Sequence, residues 1–421
     1  MKHLSRFFGN THRARSAKVP LWIAALVAAV FAFTACSDGG GDDGPDPNLG
    51  VTWTGIAGGE GATAFPTDLG DSGFGENHIL GIAYGGGSFV AVGQRGRMAY
   101  STNGITWTGI ACSDEGGANP TTPGDSGFGQ NHIRGVAYGG GRFVAVGQNG
   151  RMAYSANGTS WEGIAGGAGA AAEPTTPGDS GFGQNRIRGV AYGGGIFVAV
   201  GQNGRMAHST NGTTWEGIAG GTGATATPSD PGASQFGTNE IRGVAYGGGR
   251  FVAVGASGRM AYSSNGISWT GIAGGSGATA EPTTPGASQF GTNTITAIAY
   301  GGGRFVAVGA SGRMAYSSDG ISWTGIAGGT GTGPSPTTPG ASGFGTNSIQ
   351  NIAYGGNRFV AVGNSGRMAY STDGVTWTAI AGGEGTGTSE FGTDMIMGIA
   401  YGGNKFVAVG GSGRMAYSPG N

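Results

Sequence analysis

Val51-Thr52-Trp53-Thr54-Gly55-Ile56 is the first of seven similar hexapeptides, and it decides the fold because it stands alone. Each of the six later copies, such as Val375-Thr376-Trp377-Thr378-Ala379-Ile380, follows three other strand-like segments. The first copy follows none, and the last repeat, which ends near Ser418, lacks a copy of its own. An unpartnered strand at one end and a missing strand at the other predict a ring that is closed by pairing of the two chain ends.

The tryptophans of these hexapeptides set the period of the repeat. Seven of them occur at intervals of 54 residues, and they are Trp53, Trp107, Trp161, Trp215, Trp269, Trp323 and Trp377. With 97 Gly and 16 Pro among 421 residues, a chain without a period would be predicted to be disordered. A fixed period of this length instead indicates a propeller, a solenoid or a repeat array.

One repeat contains four short strand-like segments and no helical periodicity. In the second repeat these are residues 133–138, 142–147, 151–155 and 159–164, separated by Gly-rich turns. The second segment is apolar on both sides, so we expect it to be covered on both faces. Small residues in the first strand and a tryptophan in the fourth are typical of blades that crowd at an axis and splay outward. We therefore predict an all-β fold, a seven-bladed β-propeller over residues 51–421.

Residues 1–35 have the pattern of an export signal. A basic segment precedes the apolar run 21–33, which is too short for a comfortable membrane span. Phe33-Thr34-Ala35-Cys36 resembles a bacterial lipobox, which implies cleavage before Cys36 and lipidation of its thiol. An ordinary secretory signal and an uncleaved anchor are the alternatives.

Residues 36–50, which are rich in Gly and Asp, are predicted to be a flexible tether. The expected location is therefore the bacterial cell envelope, at the outer membrane or the cell surface, with the membrane contacted through the N-terminal lipid. The second cysteine, Cys112, has no partner for an intrachain disulfide once Cys36 is lipidated.

The turn between the third and fourth strands carries a second resemblance. Ser371-Thr372-Asp373-Gly374-Val375-Thr376-Trp377 resembles the Asp-box, the bacterial neuraminidase repeat of sialidase-like propellers, with one residue fewer between Asp and Gly. The resemblance extends over six turns and implies structural roles, in which the Asp or Asn side chain closes the turn and the tryptophan packs between blades. The Asp and Asn residues are Asn103, Asn157, Asn211, Asn265, Asp319 and Asp373.

The same resemblance raises the question of catalysis. A sialidase-like enzyme would need an arginine cluster, an acid/base Asp and a Tyr/Glu nucleophile pair gathered in particular blades. The arginines here repeat around the ring instead, one in each Gly-Arg-Met-Ala segment, and they are Arg97, Arg151, Arg205, Arg259, Arg313, Arg367 and Arg414. We predict no catalytic residue and no cofactor, with a divergent sialidase-like glycoside hydrolase as the alternative.

These ring arginines follow the second-to-third turn, which in propellers shares a face with the connection from each fourth strand to the next first strand. That connection is long, for example residues 165–186, and it ends in a recurring Phe-Gly motif. Loops on a rigid scaffold often bind ligands, so one interpretation is a binding face for a glycan, a peptide or an anionic group. The other is that the arginines hydrogen-bond loop carbonyls and the phenylalanines anchor the loops.

The residues on either side of the first isoleucine in each first strand differ most between repeats. Basic side chains gather there in the first four repeats, near the predicted channel mouth, and they are His78, His132, Arg134, Arg186, Arg188 and Arg242. Such a patch would recognise an acidic group, and neutral drift is the alternative. Two histidines without nearby acids predict no metal site, and Asp71, Asp125 and Asp179 are expected to cap turns rather than bind calcium.

Charge narrows the class of partner. Five of the 22 basic residues lie in the leader, which leaves 17 basic against 23 acidic residues, a net charge of about −6 that disfavours nucleic acid. The predicted function is non-catalytic binding of a glycan, peptide or protein at the cell envelope, through the long-loop face of a monomer. An envelope assembly scaffold is a further alternative.

Overall fold

Seven four-stranded antiparallel sheets surround a common axis, so the predicted all-β seven-bladed propeller is confirmed. The computed structural model describes residues 46–56, 74–110, 128–164, 182–218, 235–272, 289–326, 343–380 and 391–420. The predicted signal peptide 1–35, Cys36, Cys112 and the calcium candidates Asp71, Asp125 and Asp179 lie outside the described residues. In the described part of the chain no helix has the length and apolarity needed to cross a membrane.

The first strand of each blade lies nearest the axis and the second strand follows it outward. The first strands are β2 (Ile79–Gly85), β6 (Ile133–Gly139), β10 (Ile187–Gly193), β14 (Ile241–Gly247), β18 (Ile295–Gly301), β22 (Ile349–Gly355) and β26 (Ile396–Gly402). The second strands are β3 (Ser88–Gly93), β7 (Arg142–Gly147), β11 (Ile196–Gly201), β15 (Arg250–Gly255), β19 (Arg304–Gly309), β23 (Arg358–Gly363) and β27 (Lys405–Gly410).

The third and fourth strands complete each blade, and blades one to seven are numbered from β2. The third strands are β4 (Met98–Ser101), β8 (Met152–Ser155), β12 (Met206–Ser209), β16 (Met260–Ser263), β20 (Met314–Ser317), β24 (Met368–Ser371) and β28 (Met415–Pro419). The fourth strands are β5 (Thr108–Ile110), β9 (Glu162–Ile164), β13 (Glu216–Ile218), β17 (Thr270–Ile272), β21 (Thr324–Ile326), β25 (Thr378–Ile380) and, for blade seven, β1 (Thr54–Ile56).

A single 3₁₀ turn joins each second strand to its third strand. These turns are Gln94–Gly96, Gln148–Gly150, Gln202–Gly204, Ala256–Gly258, Ala310–Gly312, Asn364–Gly366 and Gly411–Gly413. The fourth strands have three residues, fewer than the six predicted, because the residues before them belong to the turn. In blade two the N–H groups of Thr159 and Ser160 both donate to Asn157 Oδ1, at 2.9 Å.

The core lies between blades rather than within them. Val90, Val92 and Met98 of blade one pack in one buried cluster with Phe143 and Trp161 of blade two. Because a second strand is sandwiched in this way, it needs apolar residues on both faces, which explains the missing polar alternation in its sequence. Neighbouring blades therefore depend on each other for burial of their side chains.

The close approach of blades near the axis explains one glycine in each first strand. A Cβ on Gly85 would lie 2.0 Å from Cγ of Tyr138 in the next blade. That tyrosine ring in turn packs against Phe143, with ring centroids 4.8 Å apart. At the end of each first strand the glycine therefore makes room for the tyrosine ring of the next blade.

The chain ends close the ring as the hexapeptide predicted. Strand β1 pairs antiparallel with β28, with Thr54 opposite Tyr417 and Ile56 opposite Met415. Trp53 is buried in a cluster with Phe406 of blade seven and Val360 of blade six. The orphan hexapeptide therefore supplies both the outer strand of blade seven and its seventh tryptophan.

The contact between chain ends extends beyond this strand pair. In blades one to six the serine that ends the third strand accepts the N–H of a turn glycine, as Ser101 Oγ accepts from Gly104 at 2.8 Å. In blade seven the same bond joins the two ends of the chain, because Ser418 Oγ accepts the N–H of Gly50 at 2.6 Å. The seventh turn is assembled from two separate segments.

Arg358 holds the N-terminal half of this split turn. Its side chain is buried and its Nη2 donates to the carbonyl of Asp46 at 2.7 Å, while Nη1 donates to the carbonyl of Leu49. Leu49 itself is buried among residues of blades six and seven. The last five residues of the segment predicted as tether, 46–50, therefore pack on the ring, because Leu49 and the carbonyls around it find partners there.

The six complete turns have a shared hydrogen-bond pattern. Asp373 Oδ1 accepts the N–H of Val375 at 2.8 Å and that of Thr376 at 2.7 Å, and Ser371 donates its hydroxyl to the same oxygen. Burial acts to raise the pKa of Asp373, but these donors outweigh it and the pKa is lowered. Asn103 makes the same two backbone contacts in blade one. The side chain therefore closes the turn, and the Asp-box identity of the motif stays a prediction.

Substitution of Arg358 tests ring closure. We expect Arg358→Ser, which copies the residue at this position in blade one, to lower stability by about 2–3 kcal/mol, because charge-assisted bonds to buried carbonyls are lost. The control is Arg304→Ser, since Arg304 stacks on Tyr316 but joins no chain ends. Chemical denaturation measures both. Equal losses for the two variants would contradict a special role of Arg358 in closure.

Acid denaturation tests the two aspartate turns. Because the folded pKa of Asp319 and Asp373 is lowered, each stabilises the fold above its unfolded pKa and loses this contribution as pH falls through the folded pKa. We expect Asp319→Asn/Asp373→Asn to keep both turns at neutral pH and to unfold with a shallower dependence on acid. The melting temperatures of the parent protein and the variant are measured from pH 7 downward. An equal fall in melting temperature for both proteins would refute this prediction.

Candidate binding site at the channel mouth

The first strands of all seven blades surround a cavity of about 420 Å³ on the axis. Its lining comes from the opening residues of these strands, so it lies at the face where the fourth-to-first connections arrive. The side chain at the position after the first isoleucine varies between blades, with five residue types at seven positions, and these are Leu80, Arg134, Arg188, Arg242, Thr296, Gln350 and Met397. The strand scaffold is repeated, but the cavity wall is not.

Three consecutive blades place arginines in the wall, and we refer to Arg134, Arg188 and Arg242 as the arginine arc. Glu240, which precedes the first strand of blade four, pairs with two of them. Its Oε1 lies 2.6 Å from Nε of Arg188, and its Oε2 lies 3.1 Å from Nη2 of Arg242. One carboxylate thus serves two guanidinium groups, which leaves the arc with excess positive charge.

Arg134 has the most unfavourable surroundings of the three. Its Nε is buried and has no hydrogen-bond partner among the described residues. Burial, followed by the charges of Arg188 and Arg186, lowers the pKa of Arg134 to about 10, although Glu240 acts in the opposite direction. Burial also lowers the pKa of Arg242, again against the effect of Glu240. The site therefore favours an added negative charge.

The opposite side of the wall is apolar. Leu80 of blade one and Met395 and Met397 of blade seven form an apolar arc, which begins beside Arg134 in ring order. Methionine side chains adapt to apolar groups of varied shape. The cavity is consequently amphipathic across its width.

Polar side chains of blades five and six complete the wall and already have protein partners. The Thr296 hydroxyl lies 2.5 Å from the carbonyl oxygen of Ile349, and Gln350 Nε2 donates to Asn364 Oδ1 at 2.8 Å. Asn351 Nδ2 donates to the carbonyl of Met397 at 3.3 Å. The Thr296 and Asn351 bonds join neighbouring blades and the Gln350 bond lies within blade six, and all three reduce the capacity of these side chains to bind a ligand.

The remaining predicted basic residues sit just before the first strands. The N–H of His78 donates to Gln94 Oε1 at 3.1 Å, and the N–H of His132 donates to Gln148 Oε1 at 2.9 Å. Burial, then Arg134, His78 and Arg95, lowers the pKa of His132. In the described residues no group of three or more His, Cys, Asp or Glu side chains comes together as a metal site would require.

The seven ring arginines do not reach the cavity. Each lies after a 3₁₀ turn, where for example the Arg97 N–H donates to the carbonyl of Gln94 at 3.1 Å. Arg259 Nη1 donates to the carbonyl of Gln235 at 3.5 Å, and Arg414 Nε lies 2.7 Å from Asp394 Oδ2. For these two residues the contacts fit the interpretation that the ring arginines hold loop segments. A ligand-binding role of the ring stays a prediction.

The recurring phenylalanines anchor the ends of the long connections. They are fully or almost fully buried, and they are Phe74, Phe128, Phe182, Phe236, Phe290, Phe344 and Phe391. The carbonyl of each accepts the N–H of the residue three positions later, as Phe128 does from Asn131 at 3.0 Å. This fixes the chain just before it enters each first strand.

Sequence reasoning found the arginine arc but missed the residue that organises it. Glu240 is the only acid among the seven residues that precede the first isoleucines. This difference from the other blades could have pointed to Glu240 in the sequence. The apolar arc was missed as well, because leucine and methionine in a β-protein are ordinarily assigned to the core.

Comparison with known proteins shows the fold alone. No protein-family model matches this chain, and the comparison with curated protein sequences gives no match. The structure is similar to that of YCF48 from Cyanidioschyzon merolae, with a TM-score of 0.53 and 15% identity, over 87% of this chain and 98% of that chain. A structure of YCF48 bound to D1 peptide gives 0.53 and 14%, over 82% and 95%.

An enzyme is also among the similar structures. A catalytically inactive virginiamycin B lyase from Staphylococcus aureus with quinupristin has a TM-score of 0.55 and 9% identity, over 81% of this chain and 94% of that chain. The propeller fold therefore occurs in both a peptide complex and a lyase.

Titration of His132 tests the electrostatics of the site. We expect Arg134→Thr, which copies the residue of blade five, to raise the pKa of His132 toward its ordinary 6.5 because one nearby cation is removed. Burial remains, so the shift should be partial. The imidazole proton resonances measured by NMR against pH report it, with Arg242→Thr as control. An unchanged His132 titration in Arg134→Thr would show that the two side chains do not interact.

Proposed function

We propose that the chain is a non-catalytic binding protein whose ligand docks on the face where the first strands begin and places an anionic group in the channel mouth. The observation that carries this proposal is the arginine arc, in which Arg134 has a buried Nε without a partner among the described residues. A half-buried cation that lacks a counter-charge destabilises the unliganded protein, and an incoming anion relieves that cost.

The composition of the cavity wall supports binding over turnover. The wall residues that the structure describes include no carboxylate, histidine, tyrosine, serine or cysteine, which are the usual nucleophiles and general acids or bases. Their polar groups are the arginines and the hydrogen-bonded side chains of blades five and six. A sialidase-like hydrolase needs an acid/base carboxylate that can reach the substrate, whereas the carboxylate beside the described arc, Glu240, lies outside the cavity wall and is paired with Arg188 and Arg242.

A peptide or protein is the favoured ligand class. Among the similar structures YCF48 is bound to D1 peptide, which gives a precedent for peptide binding on this fold at low sequence identity. The arginine arc makes the mouth locally cationic although the chain outside its leader carries a net negative charge, so an acidic group is attracted to the mouth. Glycans and an assembly role at the envelope are the alternatives that the experiment below separates.

The proposed location is the cell envelope. Cleavage before Cys36 and lipidation of its thiol would attach the propeller to a membrane through the segment between Cys36 and Asp46, and the carbonyl of Asp46 accepts a hydrogen bond from Arg358. Labelling with radioactive palmitate, with Cys36→Ser as control, tests the anchor.

We further propose that the propeller is of the Asp-box type, which the turns around Asp319 and Asp373 support.

Ligand arrays test the proposed binding. The full chain without its leader, fluorescently labelled, is incubated with a tiled peptide array and a glycan array. We expect acidic peptides to be retained, and Arg134→Thr/Arg242→Thr, which keeps the Arg188–Glu240 pair, to weaken retention at least about tenfold, a loss of about 1.4 kcal/mol. The control Arg151→Thr removes a ring arginine that lies outside the cavity.

Two results would overturn the proposal. Retention of ligands that is equal in the arc variant and the control would place the binding site elsewhere. Turnover of a fluorogenic sialoside by the full chain, lost in the arc variant, would make the protein an enzyme.

A further inference from the structure

We infer that the channel mouth recognises the free carboxyl terminus of a peptide whose last residues are apolar. This inference rests on the proposed function and specifies its ligand. Four features of the cavity lead to it: the amount of uncompensated charge, the position of the apolar arc, the saturation of the polar wall and the strand edges that face the axis.

The arginine arc carries three positive charges against one negative charge of Glu240, so the mouth can accept a carboxylate and stay positive. Glu240 already offsets part of the charge of Arg188 and Arg242, with N–O distances of 2.6 and 3.1 Å, so Arg134 is the guanidinium that lacks a counter-charge. A guanidinium and a carboxylate form two parallel hydrogen bonds in one plane. One such group would give the Nε of Arg134 the acceptor that the described residues do not provide.

The apolar arc requires that the ligand be apolar close to its charge. Leu80 lies in the blade next to Arg134, and Met397 lies one blade further. The terminal residue of a peptide carries its carboxylate and its side chain on the same carbon. That arrangement lets the carboxylate meet Arg134 while an apolar side chain contacts Leu80 and Met397.

The rest of the wall disfavours a sugar. Recognition of a glycan depends on several free donors and acceptors placed around the ring. Here Thr296 and Asn351 are hydrogen-bonded to carbonyls of the next blade, and Gln350 is hydrogen-bonded to Asn364 of its own blade. An acidic sugar would therefore satisfy Arg134 and leave its hydroxyls against Leu80 and the methionines, which costs the hydroxyls their hydrogen bonds to water.

The strand edges distinguish a peptide from a simple apolar acid. In every blade the first strand stands at the end of the sheet order and pairs only with the second strand. Its inner edge therefore faces the axis with main-chain groups that no sheet partner takes up. An entering peptide can exchange main-chain hydrogen bonds with such edges, whereas a fatty acid has no groups to use them.

The experiment compares peptides that differ only at the terminus. A library of N-acetylated hexapeptides with the last three residues randomised is prepared as free acids and as C-terminal amides, and binding to the propeller is measured by competition and then by calorimetry. We expect free acids with apolar last residues to be selected. We also expect the matched amides to bind at least about tenfold more weakly.

Two variants test whether the ligand carboxylate binds the arginine arc and whether the apolar side chain of the ligand binds the apolar arc. Arg134→Thr should abolish the difference between acid and amide, and its melting temperature should rise because a half-buried cation is removed. Met397→Gln, which copies blade six, should keep the difference between acid and amide and lose the preference for apolar last residues. Arg151→Thr, outside the cavity, should resemble the parent protein in both respects.

The outcomes separate this inference from the proposed function. Acids and amides that bind equally, or acidic segments that bind internally, would overturn the terminal recognition and leave an anion-binding propeller. Decanoate that competes as well as the best peptide would replace the peptide by an apolar acid. If neither this library nor the arrays yield a ligand that depends on Arg134, both the inference and the proposed function fail.

Discussion

The structure depends on the junction between the two ends of the chain. Blades in a propeller bury their apolar faces against each other, so an open ring would expose two such faces in blades one and seven. Strand β1 prevents this by completing blade seven, where Ile56 lies opposite Met415. Ser418, Gly50 and Arg358 add a turn and a buried clamp beside the strand pair. Closure is thus a set of directional bonds rather than hydrophobic contact alone, which fixes the register of the strand.

The clamp modifies a contact that the other blades already make. In several blades the first residue of the second strand reaches across to the turn of the next blade, and Arg250 and Arg304 also stack on a tyrosine of their own blade. Arg358 stacks on Tyr370 in the same way. Its guanidinium in addition binds carbonyls of residues 46–49 because the split turn offers them at that point. The contact that repeats between blades therefore also closes the ring at the turn of blade seven, which is formed by two separate segments of the chain.

The fold could be predicted from the sequence because the period and the orphan hexapeptide are both visible in it. Apolar runs such as Phe143-Val144-Ala145-Val146 showed that blades cover both faces of a strand, and the buried clusters confirm this. The split turn was less visible, although Gly50 precedes Gly104 by one period of 54 residues. Pro47 and Leu49 replace the expected serine and asparagine there, so the motif no longer identifies the segment. Its partners come from Ser418 and Arg358, which lie far away in sequence.

The candidate site was predicted in part, because one position per blade varies while the scaffold stays constant. The side chain after the first isoleucine points at the axis and does not enter the core between blades. A change there leaves the packing of Val144 or Trp161 untouched, so this position can differ between blades at little cost in core packing. What the sequence did not show is the bridge of Glu240 to Arg188 and Arg242, because it crosses between blades and depends on side-chain geometry.

The electrostatics of the mouth follow from its asymmetry. Three consecutive blades place arginines at a position where other blades have leucine, threonine, glutamine or methionine, and burial, then the charges of Arg188 and Arg242, disfavour the charged form of Arg134 and lower its pKa. A single carboxylate in reach of two of them limits this cost without removing it. The residual charge lies at Arg134, next to Leu80, where an anion with an apolar substituent would find both partners.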